Sequence, residues 1–197
     1  MGAVHEFIGL IAFAFAGSAS PGPNNTLLWA SGMGFGFRRT LPHVLGTAIG
    51  IAALAVAVAA GLGALLDAVP TLEIALKVAG SAYLLVVAYL VLGGGTIAGT
   101  RVSRPLCLRE GVTFQLVNPK AWIFAIAAVG TFFAADPRLA REAVLTAALI
   151  VVVIVSSSIW AFGGAALAHV VENERAIRAV NVALAVLLVA SVALIWI

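Results

Sequence analysis

Charge is scarce in this chain. Of 197 residues, 11 are Lys or Arg and 8 are Asp or Glu, 10% charged in all, where a soluble domain carries about 25%. The apolar share is 63%. A water-soluble fold of this length must still cover a large surface, so the composition excludes one and places the chain in a bilayer. Cysteine is scarcer still. Cys107 stands alone, which excludes a disulfide framework, a Cys-based metal site and paired-thiol redox chemistry. His5, His43 and His169 fall in three different segments without metal-ligand spacing, and no metal or cofactor is expected. The start, Met-Gly-Ala-Val-His-Glu, lacks a basic leader, so the first apolar run is read as part of the fold and not as a cleavable signal.

What is there is mostly apolar helix. A spanning helix needs about 20 apolar residues, and six runs qualify: 4–33, 41–66, 72–92, 111–135, 143–168 and 176–197. They leave no room for an extramembrane domain; the one loop of any length is 93–110. Arginines fix an orientation. Arg38 and Arg39, Arg101, Arg104 and Arg109, and Arg175 and Arg178 occupy three loops on one side, against Arg138 and Arg141 on the other. The positive-inside rule makes the richer side cytoplasmic and puts both termini outside. The basic pI of 9.6 therefore reflects cytoplasmic loops and not a nucleic-acid partner. Some features need no function: Gly46 and Gly50 form a GxxxG pair suited to close helix packing, Glu73 and Lys77 are spaced for a helix ion pair, and Trp196 fits an interfacial belt.

Two runs are interrupted. The first is about 30 residues long, about 45 Å as one helix against about 30 Å of hydrocarbon. Its middle reads Ser20-Pro21-Gly22-Pro23-Asn24-Asn25-Thr26. Each proline removes an N–H and clashes one turn back, freeing the carbonyls of Gly17 and Ala19; Asn24 or Asn25 is expected to cap a new half-helix. The fourth run carries Gln115-Leu116-Val117-Asn118-Pro119-Lys120. Asn then Pro is a helix start, which leaves the Gln115 carbonyl without a partner and puts Lys120 in a first turn that is already positive. That lysine needs a counter-charge or water.

The breaks fall in the first run of each half, three runs apart, so the halves have opposite topology. This is the layout of inverted repeats, 1–92 and 111–197 about the 93–110 loop, with a site at the midplane. The expected fold is all-α with six spans, helices one and four broken. Pro21, Gly22, Pro23, Asn24, Asn25, Asn118, Pro119 and Lys120 are the expected substrate-binding residues, with two helix N-termini and Lys120 favouring a carboxylate. Gln115, Trp122, Ser156, Ser157, Trp160 and Asn181 are candidate pathway residues. Ser156, Ser157 and Ser158 equally suit bonds back to their own helix, and His43 equally suits an interfacial polar position.

The same residues carry a family resemblance. PGPNNTLLWASGMGFGFRRT (21–40), KVAGSAYL (77–84) and FQLVNPKAW (114–122) resemble the lysine exporter superfamily of amino-acid efflux proteins, and the double Asn after PGP resembles its cysteine and O-acetylserine exporting branch. The resemblance implies six helices in inverted halves and proton-driven export of an amino acid across an inner membrane. Many relatives carry Asp where this chain has Asn24, and none of the spans here holds a deep carboxylate. Lys120, His43 or the substrate itself is left to carry a coupled proton. The expected partners are a small amino-acid substrate, protons and lipid, and small-residue faces permit a homodimer. A structural or assembly subunit and a small-solute channel are the competing readings; a thiol-redox carrier would need a second cysteine.

Overall fold

The computed structural model describes residues 3–62, 70–92, 104–133, 139–170 and 174–195. Among them the regular structure is entirely helical: α1 (Ala3–Ala19), α2 (Pro23–Phe35), α3 (Phe37–Ala57), a π-turn (Val58–Leu62), α4 (Pro70–Leu92), α5 (Leu108–Val117), α6 (Pro119–Phe132), α7 (Leu139–Val170) and α8 (Glu174–Ile195). The apolar runs at 4–33 and 111–135 are each two helices, as the prolines require. By length and apolar composition, Phe37–Gly61 and Arg141–Ala168 each suffice to cross a bilayer, and α5 with α6 makes one more crossing if counted as a single span bent by 78°. The expected Glu73–Lys77 pair and Trp196 lie outside the described side chains.

Local chemistry sets the boundaries. α2 and α3 are separated by one residue, Gly36, at φ 82°. An L-residue avoids that region, and glycine enters it freely. Pro23 and Pro119 open α2 and α6 at the first helical position, where the missing N–H costs nothing. One expectation is corrected here. Gly22, and not Asn24 or Asn25, is the N-cap of α2; both asparagines lie inside its first turn, and their side chains are used elsewhere.

Helix packing follows the small residues, because lipid offers no hydrophobic drive between helices and close approach must supply the dispersion energy. α1 and α2 both lie along α7, and α5 and α6 both lie along α3, while α3 meets α7 and α4 meets α8. A Cβ on Gly32 would stand 1.9 Å from the Ala161 carbonyl oxygen, and one on Gly164 would stand 2.0 Å from that of Trp29. Gly46 lies against Leu108 and Gly111, and Gly50 against Val112 and Gln115, so the GxxxG pair seats α3 on α5. A central core joins Ala14, Ile51, Leu54, Phe124, Leu149 and Val153 from α1, α3, α6 and α7. A second cluster joins Leu84 and Ala88 of α4 to Leu184, Ala185 and Leu188 of α8. Outward faces are also apolar, with Ile8, Phe15, Ile123, Val151 and Ile159 exposed. A surface solvated by lipid has that character.

Candidate functional site

The first break is held by side chains that replace lost helix bonds. The Ser20 hydroxyl donates to the Gly17 carbonyl at 2.8 Å. Asn25 Nδ2 donates to the carbonyls of Ser18 (2.6 Å) and Ser20 (2.8 Å). Trp160 Nε1, from α7, donates to the Ala19 carbonyl at 3.0 Å. The carbonyls of Gly17 and Ala19, freed by the prolines, are thus taken up by protein groups, as buried backbone must be. Ser18 donates to the Ala14 carbonyl at 2.6 Å, so Ser156 spends its one proton on Ser18 Oγ at 2.7 Å and bridges the helices, with the Val153 carbonyl of its own helix 3.1 Å away.

At the second break Asn118 has φ −90° and ψ 105°. It occupies the N-cap position of α6, yet its side chain makes no capping bond. Its backbone N–H closes on the Gln115 carbonyl at 3.3 Å, so that carbonyl is not orphaned after all. Trp122 Nε1 takes the Leu116 carbonyl at 2.8 Å.

Two links join the breaks. Lys120 resolves its clash with the positive start of α6 by reaching away from it. Its ammonium donates to the Ser20 carbonyl (2.7 Å), Ser20 Oγ (2.8 Å) and the Pro21 carbonyl (3.1 Å). These oxygens follow the C-terminal end of α1, which carries negative dipole charge. Gly22 makes room, since a Cβ there would meet Lys120 Nζ at 2.9 Å.

The second link is an amide chain. Gln115 Nε2 donates to the Gly111 carbonyl (3.2 Å) and to Asn24 Oδ1 (3.0 Å). The Gly111 carbonyl fixes which end of the Gln115 amide is nitrogen, and so makes Asn24 Oδ1 the acceptor. Thr47 Oγ1 lies 3.1 Å and His43 Nε2 3.3 Å from the same oxygen. His43 then carries its proton on Nε2, and its buried Nδ1 has no partner among the described residues. Asn118 Nδ2 extends the chain to Gln115 Oε1 at 3.4 Å, while its buried Oδ1 has no partner among the described residues.

Between the links lies a cavity of about 40 Å³, which accommodates a few waters, each needing about 10–15 Å³ by the same measure. Gly22, Asn24, Asn25, Asn118 and Lys120 line it, with Gln115 and Ser157, and Ile51, Phe124 and Val153 form apolar wall. Of the expected residues, Pro21, Pro23 and Pro119 shape the breaks without facing the cavity. Trp122, Ser156 and Trp160 brace them from behind, Asn181 is buried away from it, and His43 reaches it only through Asn24. Ser18, Thr47 and Phe124 were not expected there. Thr47 had a signal, as a polar residue one turn from His43 on the Gly46–Gly50 face; Phe124 had none.

The chain matches the LysE type translocator family over residues 15–195. It is 27% identical to an "Uncharacterized membrane protein" of Vibrio cholerae over 139 residues, covering 68% of this chain and 67% of that one. It is 28% identical to the cysteine/O-acetylserine efflux protein of Klebsiella pneumoniae over 122 residues, 62% of each. No solved structure matches it. The family match takes in both breaks and both links between them, and the chain belongs to the LysE type translocator family.

Proposed function

We propose that this translocator exports an amino acid or a small derivative with a neutral side chain from the cytoplasm, driven by the proton gradient, by alternating access around the cavity between the two breaks. The observation that carries this reading is the pair of links themselves, Lys120 to Ser20 and Pro21, and Asn24 to Gln115. They converge on one small cavity from two broken helices. Two helix first turns and an ammonium suit a carboxylate. The apolar wall of Ile51, Phe124 and Val153 suits a neutral side chain and offers a cationic one nothing. A cavity of about 40 Å³ has room for about three waters, so any substrate larger than that requires the walls to part.

Packing supports six spans in two inverted halves. The contacts Ser18–Ser156, Ala19–Trp160 and Trp29–Gly164 ascend together, so the first span runs parallel to α7. Gly46–Leu108 and Gly50–Gln115 ascend together, so α3 runs parallel to the fourth span. A two-fold axis in the membrane plane that exchanges the halves turns the first relation into the second. The arginine asymmetry supports an inner-membrane orientation with both termini outside. The efflux activity in the name of the Klebsiella relative points the same way.

Purified protein in proteoliposomes is expected to move a labelled neutral amino acid saturably against a concentration gradient when a pH gradient is imposed. Lys120→Ala and Asn24→Ala are expected to lower that rate at least tenfold. Unchanged transport in both variants overturns the site, and flux that neither saturates nor answers to the pH gradient favours a channel.

A further inference from the structure

All three N–H groups of the Lys120 ammonium are committed. They point to Ser20 O, Ser20 Oγ and Pro21 O at 2.7, 2.8 and 3.1 Å, which leaves none for a substrate carboxylate. These three oxygens form a cage of the shape a primary ammonium takes, at the negative end of α1. Lys120 is partly buried, and the cage lies beside the cavity, which both Gly22 and Lys120 line. On the same cavity wall Asn118 Oδ1 is a second acceptor, buried and without a partner among the described residues.

We propose that the Ser20–Pro21 turn is a binding site for a primary ammonium, occupied by Lys120 in this conformation and by the substrate's own ammonium during transport. The inference rests on the export reading above. A carboxylate entering at the first turns of α2 and α6 offers Lys120 a full opposite charge, where the three oxygens that hold it now offer only dipoles. Lys120 swings to it. The Ser20 carbonyl keeps Asn25 as a donor, but Ser20 Oγ and the Pro21 carbonyl lose the one Lys120 supplied, and the α-ammonium, two bonds from the carboxylate carbon, takes the place Lys120 leaves in the cage. Neither charged group of a zwitterion suffices alone. An amine finds the cage occupied, and a carboxylic acid empties it without refilling it.

Two arms test this. In Lys120→Ala the cage is open, and methylammonium is expected to raise the thermal stability of the purified protein saturably, at least tenfold more effectively by concentration than tetramethylammonium, which has no N–H. The wild type is expected to ignore both. No response of the variant, or an equal response to the two ions, overturns the cage whatever the transport assays give. Should Lys120→Ala fail to fold, the wild type decides: alanine and serine are compared with ethylamine and ethanolamine, and with propionate and 3-hydroxypropionate. Stabilisation by an amino acid and not by its two fragments supports the exchange. An amine acting as strongly as its amino acid overturns it, and silence across the whole set overturns the export reading together with the exchange built on it.

Discussion

The hydrogen bond from Gln115 Nε2 to Asn24 Oδ1 joins residues 91 apart in sequence, and a double-mutant cycle measures it. Gln115→Leu keeps the volume and removes the donor. The Gly111 carbonyl retains its helix partner, and Asn24 Oδ1 retains Thr47 and His43 as neighbours. The loss is therefore one net hydrogen bond, about 1 kcal/mol, plus the stranding of the Asn118 Nδ2 group, about 1–3 kcal/mol. Asn24→Leu removes the acceptor. Thr47 turns wholly to the His43 carbonyl, 3.0 Å away, but His43 Nε2 is stranded in a fully buried position, for about 2–4 kcal/mol with the lost bond. Each single variant counts the shared bond once. The double variant is thus expected to cost about 1 kcal/mol less than the sum, within the range of contacting pairs. The assay is unfolding in mixed micelles titrated with sodium dodecyl sulfate, followed by circular dichroism. Costs that add to within about 0.3 kcal/mol, as they do for independent sites, would refute the bond.

Other outcomes are set by close packing and local bonding. Gly164→Ala, whose Cβ would overlap the Trp29 carbonyl, is expected to lose about 2–3 kcal/mol by overpacking. Gly130→Ala, with nothing within 4 Å, is expected to gain up to about 1 kcal/mol from helix propensity; the same micelle titration compares them. Trp160→Phe strands the Ala19 carbonyl and is expected to cost about 1–2 kcal/mol, with the loss appearing as faster amide exchange in the first turn of α2. At the start of α5, Glu110 pairs with Arg104 through two 2.7 Å bonds and accepts from the Cys107 N–H at 2.9 Å; its carboxylate holds the Arg104 guanidinium above its ordinary pKa. Glu110→Gln is expected to speed exchange of the Cys107 amide, and an unchanged rate would dismiss the capping box.

The breaks were legible because proline, glycine and asparagine act locally. A proline at the first helical position makes its predecessor the cap: Asn118 stands before Pro119 and Gly22 before Pro23, and the two asparagines that follow Pro23 hide the second case because Asn is itself a common cap. The far sides of the cavity were not legible. Helices bathed in lipid are apolar all round, so no polar–apolar stripe marks which face turns inward, and Phe124 reads like Ile123 beside it. Lys120 announced that it needed a counter-charge, but its partners are about a hundred residues away, and two of the three are backbone carbonyls, which every residue has. Six spans rest on composition and family, since the described helices alone supply two long crossings and one bent one.

The glycine contacts of Gly32 and Gly164 lock α2 to α7, and those of Gly46 and Gly50 lock α3 to α5. Where α3 meets α7 the touching surfaces are aliphatic instead, Ile51 and Leu54 on one side and Leu149 and Val153 on the other. Interlocked backbones resist sliding and smooth side chains permit it. Under the alternating access proposed above, the bodies that would move are the first span with α7 and the fourth span with α3, each assembled from both halves of the chain. The loop at 93–110 divides the sequence, but the seam between these two bodies cuts across both halves, and Lys120, Gln115, Thr47 and His43 all reach over it to the first break.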